Sequence, residues 1–563
     1  MERIVNSEIL SLVEDHYSRS SSPLHIIYEA PTGYGKTSLA PLIALEISES
    51  EVSTGYIHVL PMRSMVRKIY EELVERIGGK SICYQASGLF LPGKNPFLSC
   101  SANISTFDSF MLNLSRVGVG KASSHYEVAR SMIFTSTVVY DEAHLYGGDP
   151  GSPEEGLYTS FLVSVEAMAL ARSPVVVLTA TLPRSLAETI YDILLRRGGG
   201  RVGSKVLWLR YGIDVKAENI DRKIAYVDKD YDKLVGSVKW DTIVAREGLD
   251  GVCRRIVEDF QTGMKVLVVA NKPARATRIY ECLISSGLKP LLLHGRMKYG
   301  EREELERKIG ESEILVATQV VEAGVNVSYD VLYTDVAPIS NLIQRAGRIN
   351  RWFKEERGKV VLIDDREAYN KIYPEEIVTA TLDAVKRQLK MGKLNWRSPY
   401  TTYRLIEEVY GEKRISTSTH DTIFLKYAVR AFFADAKHVS RELFNRCLSL
   451  KGFVRSSILI PLVHMSMDHG HDVYKIYWNT IPASFSWVLD KRKQLFHEKT
   501  VALVLKQDRS GGIVIEEEPV DTASTDELKK QVCRYMCYQW KKGVFLGLLV
   551  KDEAYRDWRG LLV

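Results

Sequence analysis

Ala30-Pro31-Thr32-Gly33-Tyr34-Gly35-Lys36-Thr37 opens at the end of an apolar run, HIIYEA (25–30), and leads into SLAPLIALEIS (38–48), whose apolar residues are spaced for a helix. Strand, glycine loop, Lys-Thr and helix in succession are the context of a phosphate-binding loop. Glycines let such a backbone curl so that successive N–H groups point at a phosphate, with the positive end of the helix behind them. On this pattern Thr32, Gly33, Tyr34, Gly35, Lys36 and Thr37 bind ATP. Lys36 reaches the β- and γ-phosphates and the Thr37 hydroxyl is a ligand for Mg²⁺.

The same rhythm continues outward. YIHVLP (56–61) reads as a strand and MRSMVRKIYEELVERI (62–77) as a helix, and TSTVVYDEAH (135–144) and SPVVVLTATLP (173–183) are apolar runs with polar ends. Strand and helix in alternation predict a parallel sheet covered on both faces, with function at the carboxyl ends of its strands. The glycine-rich RGGGRVGS (197–204) reads as a turn near a domain boundary. Beyond it MKVLVVANK (264–272), LKPLLLHGR (288–296), SEILVAT (312–318), YDVLYTDVA (329–337) and KVVLID (359–364) predict a second α/β domain. From about residue 368 helical stretches give way to VALVLKQDRSGGIVIEEE, whose SGG reads as a turn. The expected division is a first lobe over 1–205, a second over 206–367 and a mixed α+β accessory domain over 368–563.

Composition narrows the class. At 563 residues, 45% hydrophobic and 26% charged, the chain matches a soluble globular protein of several domains. No apolar run approaches the ~20 residues of a membrane span. The N-terminus MERIVNSEILSLVEDHYSRS is too polar for a secretory signal. Seven scattered cysteines suggest no disulfide framework, and Cys533 and Cys537, one helical turn apart, read as small buried apolar groups. The expected location is cytoplasmic. The formal charge of +6 is uneven: residues 1–367 sum to −2 and residues 368–563 to +8. A basic region behind a neutral body suits a polyanion partner, and equally a solvated surface.

VVY ends in Asp141-Glu142-Ala143-His144. Beside a phosphate loop, the first carboxylate of such a pair holds Mg²⁺ and the second polarises the attacking water. That gives Asp141 and Glu142 their roles, with Thr37 and Asp141 as the metal pair. Thr179 and Thr181, at the end of another apolar run, are placed to hydrogen-bond the acidic pair and relay the state of the nucleotide. Gln344-Arg345-Ala346-Gly347-Arg348-Ile349-Asn350-Arg351 carries three arginines at spacings of three. One helical face of guanidiniums without acidic partners calls for an anion, and a γ-phosphate held by the other lobe would serve.

The order AxTGxGKT, DEAH, TAT and QRxGRxxR across two α/β domains resembles the superfamily 2 helicases. More narrowly, Ala317-Thr318-Gln319-Val320-Val321-Glu322-Ala323-Gly324-Val325-Asn326-Val327 resembles the CRISPR-associated helicase of type I interference systems. Leu293-His294-Gly295-Arg296-Met297 before EREELERKI, and Ile104-Ser105-Thr106-Phe107-Asp108-Ser109-Phe110, support that likeness, which covers about residues 25–355. The resemblance implies two tandem RecA-like P-loop domains. It implies that Gln344, Arg348 and Arg351 contact the nucleotide, the last two as arginine fingers, and that Gly324 and Asn326 lie near the ribose and γ-phosphate. Asn326 stands where the family usually has Asp, so the charge there is lost. Pro61, Arg63, Thr106, Thr318 and Gln319, with Arg296 beside them, would track a nucleic-acid strand by its phosphates.

The resemblance further implies an ATP- and Mg²⁺-dependent DNA helicase or translocase, acting on single-stranded DNA and DNA duplex with an RNA-guided surveillance complex. The family commonly begins with an HD nuclease domain, and here the P-loop strand starts near residue 25. The expectation is therefore a stand-alone form working for a separate HD nuclease subunit. His464, Asp468, His469, His471 and Asp472, and the pair His420-Asp421, offer metal-ligand chemistry, but HMSMDHGHD reads as a polar loop. Rival readings are an RNA or repair helicase on the same lobes, and a nucleic-acid-clamping ATPase switch that does not unwind.

Overall fold

The computed structural model describes residues 3–77, 81–86, 89, 92–115, 126–147, 155–197, 205–218, 220, 223–322, 324–370, 372–411, 422, 426, 443–452, 454–455, 457–465, 472–507, 513–537 and 543–561. The first sheet has eight strands, in the order Ile82–Gln85, Ala102–Thr106, Gly55–Leu60, Ser136–Tyr140, Val175–Thr179, Leu24–Glu29, Lys205–Arg210 and Asp214–Glu218. All neighbours run parallel except the last pair. Its central strands are buried throughout and mostly apolar because helices cover both faces. Val175, Val176, Val177 and Leu178 are all fully buried, each adding about 1.5–3 kcal/mol. This order sets the ends of Leu24–Glu29, Val175–Thr179 and Ser136–Tyr140 side by side. The phosphate loop, Thr-Ala-Thr and Asp-Glu therefore meet at one edge, with Pro61 and Thr106 further along it.

The first lobe extends past the expected boundary at 205. Lys205–Arg210 pairs in parallel with the P-loop strand, and helix Lys229–Ser237 sends Tyr231 and Val235 into the same core. The turn expected at 197–204 leads into another strand of the same sheet, and 198–204 themselves lie outside the described residues. The second sheet begins at Lys239–Ala245. Its six parallel strands run Leu291–Leu293, Ile314–Ala317, Val266–Val269, Val331–Asp335, Arg357–Ile363 and Lys239–Ala245. Helices Glu375–Lys390 and Pro399–Tyr410, expected in the accessory domain, pack Ile377, Val385, Leu405 and Val409 into this lobe's core instead. The second lobe thus reaches residue 410, not 367.

The third unit is a mixed five-stranded sheet, Thr480–Ser484, Leu459–Val463, Val544–Leu549, Lys499–Gln507 and Ile513–Asp521. Lys499–Gln507 and Ile513–Asp521 pair antiparallel, as the expected turn requires; the SGG residues lie outside those described. Six of the seven cysteines pair, as Cys83–Cys100, Cys253–Cys282 and Cys447–Cys533. This overturns the expectation of no disulfide framework: partners up to 86 residues apart meet only once the sheets form, so spacing along the chain conceals them. Cys533 is a disulfide partner, and Cys537 alone stays a thiol.

Candidate nucleotide site and nucleic-acid interface

Gly33 and Gly35 have φ of +83° and +96°, a left-handed backbone that glycine adopts at little cost. The turn they make brings Lys36 to the start of helix Lys36–Glu49, where its Nζ donates to the carbonyls of Ala30 at 2.6 Å and Pro31 at 3.1 Å. The lysine thus closes on its own loop. Burial lowers its pKa, against the pull of Glu142 and Asp141. Tyr34 differs from a cleft residue: its buried ring packs edge-on against Tyr211 and Tyr231, and its hydroxyl donates to Asp228 at 2.9 Å. Only the backbone of Tyr34 is left to face a phosphate. From the first helix, Asn6 Nδ2 donates to the carbonyls of Tyr34 and Gly35, each at 3.4 Å.

Asp141, fully buried at a strand end, accepts from Thr37 Oγ1 at 2.8 Å. His58 Nε2 lies 3.2 Å from the same oxygen, and Tyr56 OH lies 2.5 Å from His58 Nδ1. Burial works to raise the Asp141 pKa, but the contacts from His58 and Thr37 and the charge of Lys36 outweigh it and hold the carboxyl below its ordinary range. Glu142 goes the other way. Burial and the charge of Asp141 push it up to about 7, against Lys36 and Arg351. Its φ of +51° is uncommon for a residue with a Cβ. Its Oε2 is buried without a hydrogen-bond partner among the described residues, 3.5 Å from His144 Nδ1. Burial, with Lys36, holds His144 down to about 3, so it is neutral. One carboxylate is charged and fixed beside a hydroxyl. The other is poised near neutrality, as a water-polarising base requires.

Thr179 meets His144 rather than the acidic pair itself, at 3.3 Å between Oγ1 and Nδ1, and it accepts from Thr181 N at 3.3 Å. The link to the other lobe runs through Gln344, which donates from Nε2 to Thr181 Oγ1 at 3.4 Å and accepts at Oε1 from Thr32 Oγ1 at 3.3 Å.

The arginine face needs correcting. Helix Ile339–Ala346 stops before Arg348, so the three guanidiniums share no helical face. Arg345 has an acidic partner, Glu322 at 2.8 Å, and adds bonds to Thr334 and Asn271; it is structural. Arg348 turns onto its own lobe, donating to the carbonyls of Val321 at 2.9 Å and Glu322 at 2.5 Å. Arg351 enters the cleft. Burial and the nearby Arg397 lower its pKa to about 10, against the pull of Glu142. Gly324, at φ +80°, lies against Met65 and Ser64 of the first lobe, and a Cβ there would meet Met65 Cγ at 3.0 Å. Asn326 is exposed.

Residues 20–189 match the DEAD/DEAH box helicase family, and residues 262–354 match the C-terminal part of the CRISPR-associated nuclease/helicase Cas3. The first lobe thus resembles the DEAD/DEAH box helicases and the second the C-terminal part of Cas3. The chain is 26% identical over 426 residues to the CRISPR-associated helicase Cas3 of Thermoproteus tenax, matching 69% of this chain and 64% of that protein. The T. fusca Cas3–ATP crystal structure superposes with a TM-score of 0.59 at 16% identity, covering 86% of this chain and 63% of that one. A structure described as a CRISPR RNA-guided surveillance complex, pre-nicking, superposes with a TM-score of 0.57 at 16% identity, covering 92% and 69%. The chain thus spans less than two thirds of the length of the first two. None of the described helices is long and apolar enough to cross a membrane.

Of the expected strand-tracking residues, Pro61, Arg63 and Arg296 lie where the lobes face the third unit. The Pro61 carbonyl accepts from Arg455 Nη2 at 3.1 Å, and Arg455 also pairs with Asp108 at 3.0 Å. Arg63 stacks over Tyr299 at 4.4 Å and Arg296 over Trp487 at 4.1 Å. Thr106 caps helix Phe107–Leu114 through Ser109 N. Thr318 N donates to Leu293 O at 3.1 Å, and Gln319 Nε2 donates to Asn271 O and Tyr373 OH, each at 3.2 Å. His464 stacks on Tyr555 and Asp472 caps helix Val473–Trp478. His420, Asp421, Asp468, His469 and His471 lie outside the described residues.

Sequence reading missed His58, Tyr56, Asn6 and Arg397. The polar His58 inside the run YIHVLP is a visible signal. Asn6 and Arg397 carry none, since only folding brings them to the loop.

Proposed function

We propose that the chain is an ATP-driven motor that tracks single-stranded DNA and unwinds duplex. Gln344 carries this reading: one side chain of the second lobe touches both the phosphate loop and the Thr-Ala-Thr strand end of the first. ATP in that cleft would be held by both lobes, so hydrolysis changes their grip on each other. Lys36 leaves the carbonyls of its loop for the β- and γ-phosphates. The adjacent Thr37 hydroxyl and Asp141 carboxylate suit Mg²⁺, which when bound neutralises phosphate charge. Glu142 in its ionised form polarises the attacking water, with Arg351 and Lys36 favouring that form. Closure also presses Gly324 on Ser64 and Met65, next to Arg63 on the strand-tracking edge.

In the same reading the motor works on DNA presented by an RNA-guided complex and passes the strand to a separate nuclease subunit. The names of the Cas3 relatives and the surveillance-complex structure support the RNA-guided part of this reading. A strand-displacement assay on the purified chain with ATP and Mg²⁺, with Lys36→Ala as control, tests it. Unwinding abolished in the variant, with turnover stimulated by single-stranded DNA more than by RNA, is the expected result. Stimulation by RNA alone would favour an RNA helicase; turnover without displacement would favour a clamp.

A further inference from the structure

Arg397 lies beyond both matched family segments, which end at 189 and 354, yet it reaches the phosphate loop. Its Nη2 donates to the Thr32 carbonyl at 3.3 Å and the Arg351 carbonyl at 3.4 Å, and lies 3.4 Å from where a Cβ on Gly33 would stand. The guanidinium stacks on Phe353 at 4.6 Å. The backbone beneath it is pinned. Trp396 is buried and donates to Thr242 Oγ1 at 3.0 Å. Asn395 donates to Val235 O at 3.1 Å and accepts from the N–H groups of Arg397 at 3.0 Å and Ser398 at 3.1 Å. The position is fixed from both sides, so the side chain is aimed rather than free to swing out.

Its surroundings are wrong for a structural arginine. Arg397 is 4% exposed, and its Nε and Nη1 are buried without a hydrogen-bond partner among the described residues. Its near charged neighbour is another guanidinium, the half-buried Arg351, whose pKa falls partly because of it. A buried guanidinium with donors left over, beside a second, half-buried one, is costly in the absence of an anion. A planar guanidinium with two unused N–H directions matches phosphate oxygens. Resting on the reading of this cleft as an ATP site, we propose that Arg397 is a nucleotide-contacting residue that, beside Arg351, takes the terminal phosphate of ATP. Because helix Pro399–Tyr410 starts at its side, the terminal phosphate is thereby sensed by the segment that leads to the third unit.

The test uses the full chain and titrates ATP and ADP by calorimetry, alongside steady-state turnover with single-stranded DNA. Arg397→Ala is expected to lose at least about tenfold of the preference for ATP over ADP and on the order of 100-fold in turnover. Arg397→Lys, which keeps a charge but not the fork, is expected to fall between. The melting temperature of the nucleotide-free Arg397→Ala variant should not drop, since removing one of two like charges relieves the apo cleft. An ATP/ADP preference and turnover within about twofold of wild type would overturn the proposal. So would a melting temperature lowered by several degrees with that preference intact. Lys36→Ala separates the two levels: full hydrolysis there would sink the ATP-site reading itself, whereas a dead Lys36→Ala beside a normal Arg397→Ala would remove only this inference.

Discussion

Thr32 of the phosphate loop donates to Gln344 of the second lobe at 3.3 Å, and the same Gln344 side chain donates onward to Thr181 at 3.4 Å. The bridge joins the lobes through neutral groups, so it contributes geometry more than charge. Each such bond nets only about 0.5–1.5 kcal/mol, which suits a contact that must form and break in every cycle. Gln344→Ala should leave ATP affinity within about threefold of wild type while removing most of the stimulation of hydrolysis by DNA. Turnover measured with and without single-stranded DNA decides it; undiminished stimulation would mean that the bridge does not couple the lobes.

Glu142 predicts a pH profile. Without nucleotide its pKa is about 7, raised by burial and by Asp141, and only the ionised form serves as base. The kcat/KM for ATP, which reports the free enzyme, should fall about tenfold per pH unit below 7 and level off above it. Glu142→Gln should bind ATP yet hydrolyse it poorly and lack that limb. Linkage gives a second readout. A raised carboxyl pKa destabilises the fold as pH climbs from the unfolded value through 7, so Glu142→Gln should gain melting temperature over wild type across that window and none below it. A limb that survives in the variant would exclude Glu142 as its source.

The central strands were legible because complete burial writes them as unbroken apolar runs. The P-loop strand is read from the sequence within a residue of its bounds, and SPVVVLTATLP contains the strand Val175–Thr179. Two edge strands were not: Asp214–Glu218 alternates exposed and half-buried, and Lys239–Ala245 is mostly half-buried, so neither presents an apolar run. Lys205–Arg210 is apolar but follows glycines that imitate a boundary. The motif residues of the cleft were legible because phosphate chemistry restricts them to short spacings. Arg397 was not, because its neighbours Thr32 and Arg351 come from distant segments. The arginine series was over-read: spacing of three implies a shared face only while the helix continues, and this one ends at Ala346.

Arg348 has to change partners to act. Its guanidinium sits on the Val321 and Glu322 carbonyls, so closure of the lobes must draw it off them toward the phosphate. Arg348→Ala is expected to cost on the order of 10³ in turnover with little loss of ATP affinity. If the variant bound ATP weakly but turned over normally at saturation, the finger role would belong elsewhere, with Arg351 next in line.

The Cys447–Cys533 bond closes a loop of 86 residues within the third unit, joining the segment before its first strand to helix Thr525–Cys537. On the chain-entropy account a loop of that length is worth about 4.6 kcal/mol. Cys533→Ser should therefore lower the melting temperature of this unit by several degrees, and a reducing agent should do the same to the wild type but not to the variant. A melting curve indifferent to reductant would show that the pair is not oxidised in solution.

Nucleic-acid binding should carry a salt signature that locates its contacts. Residues 368–563 bring a net charge of +8, and their third unit faces the edge where Pro61, Arg63 and Arg296 lie. Each phosphate neutralised on a single strand adds about 0.7 to the slope of log affinity against log salt. Arg63 is held over Tyr299 at 4.4 Å, a ring that keeps the guanidinium placed at this edge. Arg63→Ala should weaken binding of single-stranded DNA similarly for all sequences and flatten the salt slope by about 0.7. Titrations of a labelled oligonucleotide at four salt concentrations measure this. An unchanged slope with weaker binding would mean that Arg63 shapes the edge without touching a phosphate; unchanged affinity would put the strand on another path.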